Sequence, residues 1–155
     1  MRWKEQITKD TLKISAFEDN VEVGYVFLMN CGDTTHVNAL YNNNGPRGIG
    51  AILLRRGVHK AFNLWKNHTI ELEASGSNKE PDLSLYDSMS LQELRNLLHT
   101  FQVQSNDRLT LIKAIEAICS LPKLEMYYEQ FGFKRQSAWD DPFVIYMRTT
   151  YDRFT

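Results

Sequence analysis

The sequence has few cysteines and no long apolar run, and each of these absences excludes a class of protein. Only two cysteines, Cys31 and Cys119, occur among 155 residues, which is too few for a disulfide scaffold. No stretch approaches the roughly 20 apolar residues that span a bilayer, and the first ten residues contain no apolar signal core. We therefore expect a soluble cytoplasmic protein with reduced thiols and no membrane partner.

An excess of positive charge is also missing. The chain has 18 Lys and Arg against 19 Asp and Glu, so its formal net charge is -1. Proteins that bind nucleic acid over a broad surface are normally basic, and nucleic acid is therefore not an expected partner. The four histidines show no paired ligand spacing and the cysteines lie far apart, so we predict no metal.

The chain is long enough to bury a real core, and its first half predicts strands. Apolar and polar residues alternate over 11–18, 21–29 and 35–41, which is the pattern of half-buried strands. The pair Asp19-Asn20 separates the first two and predicts a hairpin turn.

A glycine-rich segment marks the middle of the chain. Residues 42–50 are polar and rich in glycine, and they lead into a helical pattern over 48–66 with apolar residues at steps of three and four. A further alternating segment, 69–74, predicts a strand. The order strand, loop, helix, strand predicts a right-handed crossover between parallel strands.

The second half predicts shorter helices and one more strand. In chain order these are a loop over 75–89, a helix after Ser90, a helix over 108–120, a third helix from Pro122 to Gly132, and a strand over 143–147. Ser90 followed by Glu93 has the spacing of a capping box. Pro122 suits the first turn of a helix and Gly132 suits the position after one.

Two of these segments together resemble the GNAT family of acyl-CoA N-acyltransferases. Leu40-Tyr41 followed by residues 46–54 (PRGIGAILL) resembles the family's pyrophosphate loop, Q/R-x-x-G-x-G/A before a leucine-rich helix. Residues 127–133 (YYEQFGF) are similar to the family's tyrosine helix, which ends in Gly-Phe. The order of the two segments matches the family, and the resemblance covers roughly residues 10–78 and 122–150.

The resemblance implies an α/β fold with a GNAT-like central mixed β-sheet flanked by helices. We expect a single domain over 1–155, with a helical insertion at 79–121 before the last helix. The chain enters almost at the family's second strand, and residues 1–10 leave no room for the usual first strand and the two helices after it. We therefore expect an N-terminally truncated, compact variant. Two departures fall in the loop: the Q/R position is Gly45, and Pro46 removes one amide.

Acetyl-CoA is the co-substrate that the resemblance implies. The residues implied to bind it are Leu40, Tyr41, Arg47, Gly48, Ile49, Gly50 and Ala51. Main-chain N–H groups at a helix start, together with the helix dipole, suit a pyrophosphate, although the same glycines are also typical of a tight turn. Arg55, Arg56 and Lys60 either meet the outer phosphate or form a solvated helix face. The run 42–44 suits a bulge beside the pantetheine arm.

Acyl transfer to an amine also needs groups that move protons. In the family a tyrosine on the last helix often donates to the sulfur, and Tyr128 occupies that place; its alternative role is a half-buried aromatic. The candidate base is His36, which alternation places on the same face as Asn38. Glu71 and Glu73 on the next strand are rivals for this role.

The resemblance implies transfer of an acetyl group by direct attack within a ternary complex. The acceptor is an amine on a protein lysine, a protein N-terminus or a small molecule. The protein could also form a homodimer, a possibility that the sequence leaves undecided. The alternative is a non-catalytic GNAT-like interaction module that binds a protein or nucleic-acid partner through the insertion. Segment 90–119 is somewhat similar to a helix-extended-helix SAP motif, although acidic residues offset its basic ones.

Overall fold

The computed structural model of the protein describes residues 1–43, 45–75, 81–101, 103–136 and 141–155. It contains two compact units. The sheet unit comprises Met1–Glu73, Glu129–Lys134 and Met147–Thr155, and the helical unit comprises Ala74–Tyr128 and Arg135–Tyr146.

The described residues form one mixed β-sheet and three α-helices. In chain order the elements are β1 (Arg2–Ile7), β2 (Thr11–Glu18), β3 (Val21–Asn30), β4 (Thr34–Asn42), α1 (Ile49–Trp65), β5 (Thr69–Ser75), α2 (Leu91–Leu97), α3 (Arg108–Glu129), β6 (Lys134–Arg135) and β7 (Val144–Thr150), with short 3₁₀ helices at Leu83–Tyr86 and His99–Phe101. The seven strands lie in the order β1-β2-β3-β4-β5-β7-β6. The predicted α/β class with a mixed sheet is confirmed.

The predicted hairpin and crossover are both present. Asp19 and Asn20 have φ angles of 52° and 64°, which are the positive values that a two-residue type I′ hairpin turn requires. The neighbours β1 to β4 are antiparallel, whereas β4 and β5 are parallel. The connection through α1 therefore forms the predicted parallel pair.

The prediction that the chain lacks a first strand is wrong. Arg2–Ile7 form β1, which pairs antiparallel with β2 so that Trp3 lies opposite Ala16. The strand was missed because it lies at the sheet edge with mostly exposed side chains, and an exposed strand shows no apolar alternation. Only residues 8–10 join β1 to β2, closed by the Thr8 N–H donating to the Thr11 carbonyl at 3.0 Å. That connection contains no helix.

Helix α1 packs closely on the sheet because Gly57 has no side chain. A Cβ atom on Gly57 would lie 2.8 Å from Leu28 Cδ1 and 2.9 Å from Val26 Cγ1. Leu53 and Leu54 on the same face are fully buried, and burying a leucine stabilises a fold by about 1.5–3 kcal/mol. This packing fixes where α1 begins relative to the end of β4.

The helical unit has its own hydrophobic core, and its first α-helix, α2, has an N-terminal cap. The Ser90 hydroxyl accepts from the Glu93 N–H at 3.1 Å, and the Glu93 carboxylate accepts from the Ser90 N–H at 3.3 Å, so the predicted capping box is confirmed. The buried core residues are Leu94, Leu98, Leu111, Ile112 and Ile115.

The prediction that Pro122 opens a new helix is wrong. Helix α3 runs without a break from Arg108 to Glu129, with Pro122 inside it. Proline removes one hydrogen bond from the helix ladder, but α3 continues through it with Leu121 buried. In the turn before the proline, the Ser120 hydroxyl donates to the Ala117 carbonyl at 2.8 Å.

Candidate active site

A bulge in β4 begins the candidate site. Phe27 lies opposite Ala39, but Leu28 lies opposite Val37, so Asn38 is an extra residue in β4. The bulge predicted at 42–44 stays a prediction, because residue 44 lies outside the described residues. The bulge at Asn38 also interrupts the alternation on which the predicted shared face of His36 and Asn38 depended.

The strands β4 and β5 separate at this bulge. Their parallel pairing runs from Thr34 opposite Thr69 to Val37 opposite Leu72, and the described residues of the two strands do not pair beyond that point. Leu40 and Tyr41 still pair with β3 on their other side. The main chain of β4 beyond the bulge therefore has a side on which an extended ligand such as a pantetheine arm could add hydrogen bonds.

The turn into α1 depends on Gly48. This residue is the N-cap of α1 and has a φ angle of 88°, in the left-handed region that favours glycine. A Cβ atom added there would meet nothing within 4 Å. The cost of another residue at this position therefore comes from the backbone conformation and not from crowding.

The first turn of α1 presents main-chain donors without internal acceptors. The Ile49 N–H donates to the Pro46 carbonyl at 3.1 Å, but within the described ranges no acceptor is recorded for the N–H groups of Gly48, Gly50 and Ala51. Gly48 has no side chain to cap the helix, and the first turn contains no acidic residue. This helix start can therefore bind an anion.

Arg47 is the one cation in this loop. Its side chain is exposed, and no ion pair or hydrogen bond to another described residue is recorded for it. It is thus available to a charged ligand at the start of α1.

The other cations considered for the outer phosphate have partners elsewhere in the sheet unit. Arg55 Nε donates to the Thr155 carbonyl at 2.9 Å, and the Arg56 guanidinium lies 4.1 Å from the Trp3 ring centroid. Lys60 Nζ lies 3.7 Å from Glu5 Oε2. These contacts favour the alternative role, a cationic outer face of α1.

His36 lies beside a carboxylate that two groups share. His36 Nδ1 is 3.6 Å from Glu71 Oε1, and Arg148 Nη2 is 3.4 Å from Glu71 Oε2. The His36 and Glu71 side chains are each about one-fifth exposed, whereas Glu73 is exposed. The structure thus brings His36 into contact with Glu71, one of the two other candidates for the base. Arg148 was missed because no local pattern links it to Glu71, 77 positions earlier.

Tyr128 belongs to the helical unit, whereas all the other predicted site residues belong to the sheet unit. It lies near the end of α3, and its ring centroid is 5.2 Å from that of Tyr127. Burial, with a smaller contribution from Tyr127, raises the pKa of Tyr128 to about 12. The hydroxyl is therefore protonated at neutral pH and can donate a hydrogen bond.

No metal centre accompanies these residues in the described part of the chain. Within it, no three His, Cys, Asp or Glu side chains come together as a metal-binding group. No helix there is both long and apolar enough to cross a membrane.

Gly48 and Gly32 offer a matched test of the loop. Gly32, in the turn between β3 and β4, also has a positive φ angle (91°), and a Cβ atom added to it would meet nothing within 4 Å. We expect Gly48→Ala and Gly32→Ala each to lower the free energy of unfolding by about 1–2 kcal/mol. Only Gly48→Ala should also weaken the coenzyme A binding that the resemblance implies, by roughly tenfold, because relaxation of its φ angle turns the amides away. Calorimetric titration with coenzyme A measures this, and equal losses in both variants would contradict it.

Comparison with known proteins gave matches among solved structures alone. Neither the protein-family models nor the curated proteins gave a match. The PaiA N-acetyltransferase from Thermoplasma acidophilum, solved in complex with coenzyme A, is 16% identical with a TM-score of 0.53, and the match covers 92% of this chain and 62% of that one. An acyl-CoA N-acyltransferase from Pseudomonas aeruginosa is 16% identical with a TM-score of 0.53, covering 89% and 66%.

A third similar structure is a GNAT family acetyltransferase from Elizabethkingia anophelis with acetyl-CoA bound. It is 13% identical with a TM-score of 0.52, and the match covers 91% of this chain and 76% of that one. The chain thus spans less than two-thirds of the length of the first two structures. These likenesses show that the protein has the GNAT fold.

Proposed function

We propose that the protein is an acyl-CoA N-acyltransferase that transfers an acetyl group from acetyl-CoA to an amine. We propose that residues 1–155 form one acyltransferase domain, into which residues 79–121 are inserted. The observation that carries the proposal is the start of α1 in a GNAT fold, where three amides that follow a bulged strand have no acceptor among the described residues. Its support also includes two structures of this fold that contain coenzyme A or acetyl-CoA.

The proposed binding mode assigns each part of the co-substrate to main-chain groups. The pyrophosphate accepts hydrogen bonds from the amides of residues 48–51, and the helix dipole adds favourable charge. Arg47 supplies a cation beside it. The pantetheine arm lies along Leu40 and Tyr41, where β4 has separated from β5.

The proposed reaction is direct attack of an amine on the thioester carbonyl carbon. A bond forms between nitrogen and that carbon, and the carbon–sulfur bond breaks. The proton that the nitrogen loses as the amide forms passes to the leaving sulfur, so coenzyme A is released as the thiol. His36 accepts the proton that the ammonium must lose before attack. Tyr128 donates a hydrogen bond to the leaving sulfur. No covalent acyl-enzyme is formed.

A protein amine is the acceptor we favour over a small amine. The three-residue connection between β1 and β2 contains no helix that could enclose a small acceptor. An open acceptor side suits a side chain or terminus presented by a larger molecule. Incubation of a cell lysate with the protein and isotopically labelled acetyl-CoA, followed by mass spectrometry, identifies the acetylated species.

Calorimetry separates the enzyme from the non-catalytic module. An enzyme should bind coenzyme A and acetyl-CoA with micromolar dissociation constants, and should release thiol slowly from acetyl-CoA even without an acceptor. A module should bind neither compound. Absence of binding at millimolar concentrations would remove the proposed function.

A matched pair of strand residues tests the base. Glu71 contacts His36, while Glu73 lies two residues further along β5, on the same face by alternation but exposed. We expect Glu71→Gln to lower kcat by roughly tenfold, because the imidazolium formed on proton uptake loses its counter-charge. Glu73→Gln should leave kcat within twofold. A loss with Glu73→Gln alone would transfer the base role to Glu73.

The contacts within the helical unit weigh against nucleic-acid binding there. Arg108 donates to the carbonyls of Met89, at 2.7 Å, and Tyr86, so its guanidinium is used within the fold. At the start of α3, the Asp107 carboxylate accepts from the Thr110 N–H at 3.1 Å and from its hydroxyl at 2.6 Å. These bonds lower the pKa of Asp107, so a negative charge occupies the position that a phosphate would need.

A further inference from the structure

One outer face of α1 lines a groove that the proposed reaction does not use. Its lining residues recur at steps of three and four along the helix, opposite the buried stripe, and are Ile52, Arg55, Arg56, His59, Lys60 and Asn63, with Glu5 of β1 and Ile14 of β2. The groove has a volume of about 470 Å³. Ile14 is buried at its floor, and Ile52 is 45% exposed. An apolar floor with polar walls is typical of a binding surface.

The walls of this groove carry positive charge, although the whole chain has a slightly negative net charge. The lining of the groove includes the cations Arg55, Arg56 and Lys60, and among the described lining residues only Glu5 is acidic. The whole sequence has one more acidic than basic residue. The cations are therefore concentrated on this face, which favours an acidic partner.

Two of these cations are already held in place. The Arg55 guanidinium lies 5.0 Å from the Phe131 ring centroid, and the Arg56 guanidinium lies 4.1 Å from the Trp3 ring centroid. A guanidinium stacked on an aromatic ring still presents N–H donors at its edge. Because the rings restrict their motion in advance, these side chains lose less entropy when they bind a carboxylate.

The groove borders a strand with an unpaired side. β1 is the first strand in the sheet order, and within the described residues one side of it pairs with β2 while no strand pairs with the other. Trp3 lies below Arg56, and Glu5 contacts Lys60, so the face of β1 that carries these residues is turned towards α1. β1 contains no proline, and its pairing with β2 has no register shift. Such an edge can accept a further strand.

We infer that this surface binds an extended acidic peptide segment, which adds as a strand to β1 and directs alternate carboxylates to Arg56 and Lys60. Main-chain hydrogen bonds with β1 supply affinity, and the spacing of two residues between side chains on one face supplies specificity. The surface is separate from the amides at the start of α1. The inference therefore holds whether or not the protein is an acetyltransferase.

A fluorescein-labelled seven-residue peptide that alternates glutamate and valine tests the inference, with a lysine–valine peptide as the control. Fluorescence anisotropy should detect the glutamate peptide, with weaker binding as salt rises, and little binding of the lysine peptide. Amide hydrogen exchange in residues 2–7 should slow when the glutamate peptide is added. Equal binding of both peptides, or no binding at low salt, would overturn the inference.

Variants assign the binding to the groove. Lys60→Ser and Arg56→Ser should each weaken binding of the glutamate peptide by roughly tenfold. The control is Lys9→Ser, which makes the same change of charge in the turn after β1 and should leave the affinity unchanged. Glu5→Gln should tighten binding about threefold, because it removes the competing carboxylate. If Lys9→Ser weakened binding equally, the effect would come from the net charge of the protein and not from the groove, and the inference would be overturned. Tighter binding of an oligonucleotide, or dimerisation through β1 in sedimentation, would overturn the inference in favour of those partners.

Discussion

Replacing Ala51 by aspartate should weaken coenzyme A binding about a hundredfold while stabilising the protein. A carboxylate in the first turn of α1 interacts favourably with the helix dipole and the N–H groups of that turn, by about 0.3–1 kcal/mol. The same charge would repel a pyrophosphate and compete with it for the amides of Gly48 and Gly50. At a separation near 4 Å, repulsion of a few kcal/mol is expected at the protein surface.

The matched control for this change is Ala51→Asn, which has nearly the same shape without the charge. Its coenzyme A affinity should fall by much less than that of Ala51→Asp. Calorimetric titration gives the affinity, and thermal unfolding gives the stability of each variant. Equal coenzyme A affinities of Ala51→Asp and Ala51→Asn would contradict a pyrophosphate site at the start of α1.

Replacing Tyr128 by phenylalanine should lower kcat by about a hundredfold while leaving the dissociation constant of coenzyme A within twofold. The raised pKa of about 12 keeps the hydroxyl protonated throughout the working pH range. It also exceeds the thiol reference value of about 8.5, so the hydroxyl is suited to donating a hydrogen bond to the developing thiolate and not to complete proton transfer. Loss of such a donor typically costs about a hundredfold or more in rate.

Tyr127→Phe is the control, since Tyr127 precedes Tyr128 on α3 and points to another side of the helix. Its kcat should stay close to that of the unchanged protein. Initial rates with acetyl-CoA and an amine measure both variants. Unchanged turnover in Tyr128→Phe would leave Tyr128 as a packing residue.

The same pKa predicts how stability changes with pH. The pKa of Tyr128 is about 10 in the unfolded chain and about 12 in the folded protein. Its neutral hydroxyl therefore makes its full contribution to the free energy of unfolding below about pH 10. Above pH 10 the unfolded state loses its proton first, so the contribution falls until about pH 12. Unfolding in denaturant between pH 9 and 12 should therefore show a smaller loss of stability in Tyr128→Phe than in the unchanged protein.

The sequence predicted the elements whose signals are local. The capping box at Ser90 and most of the apolar stripe of α1 depend on residues within a few positions of one another, and both are present. Ile52 is the exception, because the pattern places it on the apolar stripe but its side chain is 45% exposed. The turn at Asp19-Asn20 is equally local, because two residues that tolerate positive φ angles define it.

Features set by longer-range contacts could not be predicted in the same way. β1 is held by pairing with β2 and buries little apolar surface, so its own residues carry no strand pattern. The bulge at Asn38 appears only in its register against β3. The contact of Glu71 with His36 depends on the parallel register of β4 and β5, which a single sequence does not specify. Pro122 misled the prediction because its local preference was overridden by the continuous helix around it.

The most direct test of the account is a ¹⁵N NMR titration that compares coenzyme A with pantetheine, which has no phosphates. We expect coenzyme A to shift the amide signals of Gly48, Gly50 and Ala51 strongly, and pantetheine to leave these three nearly unchanged. Binding of coenzyme A that leaves all three signals in place, or no binding at millimolar concentration, would contradict this expectation.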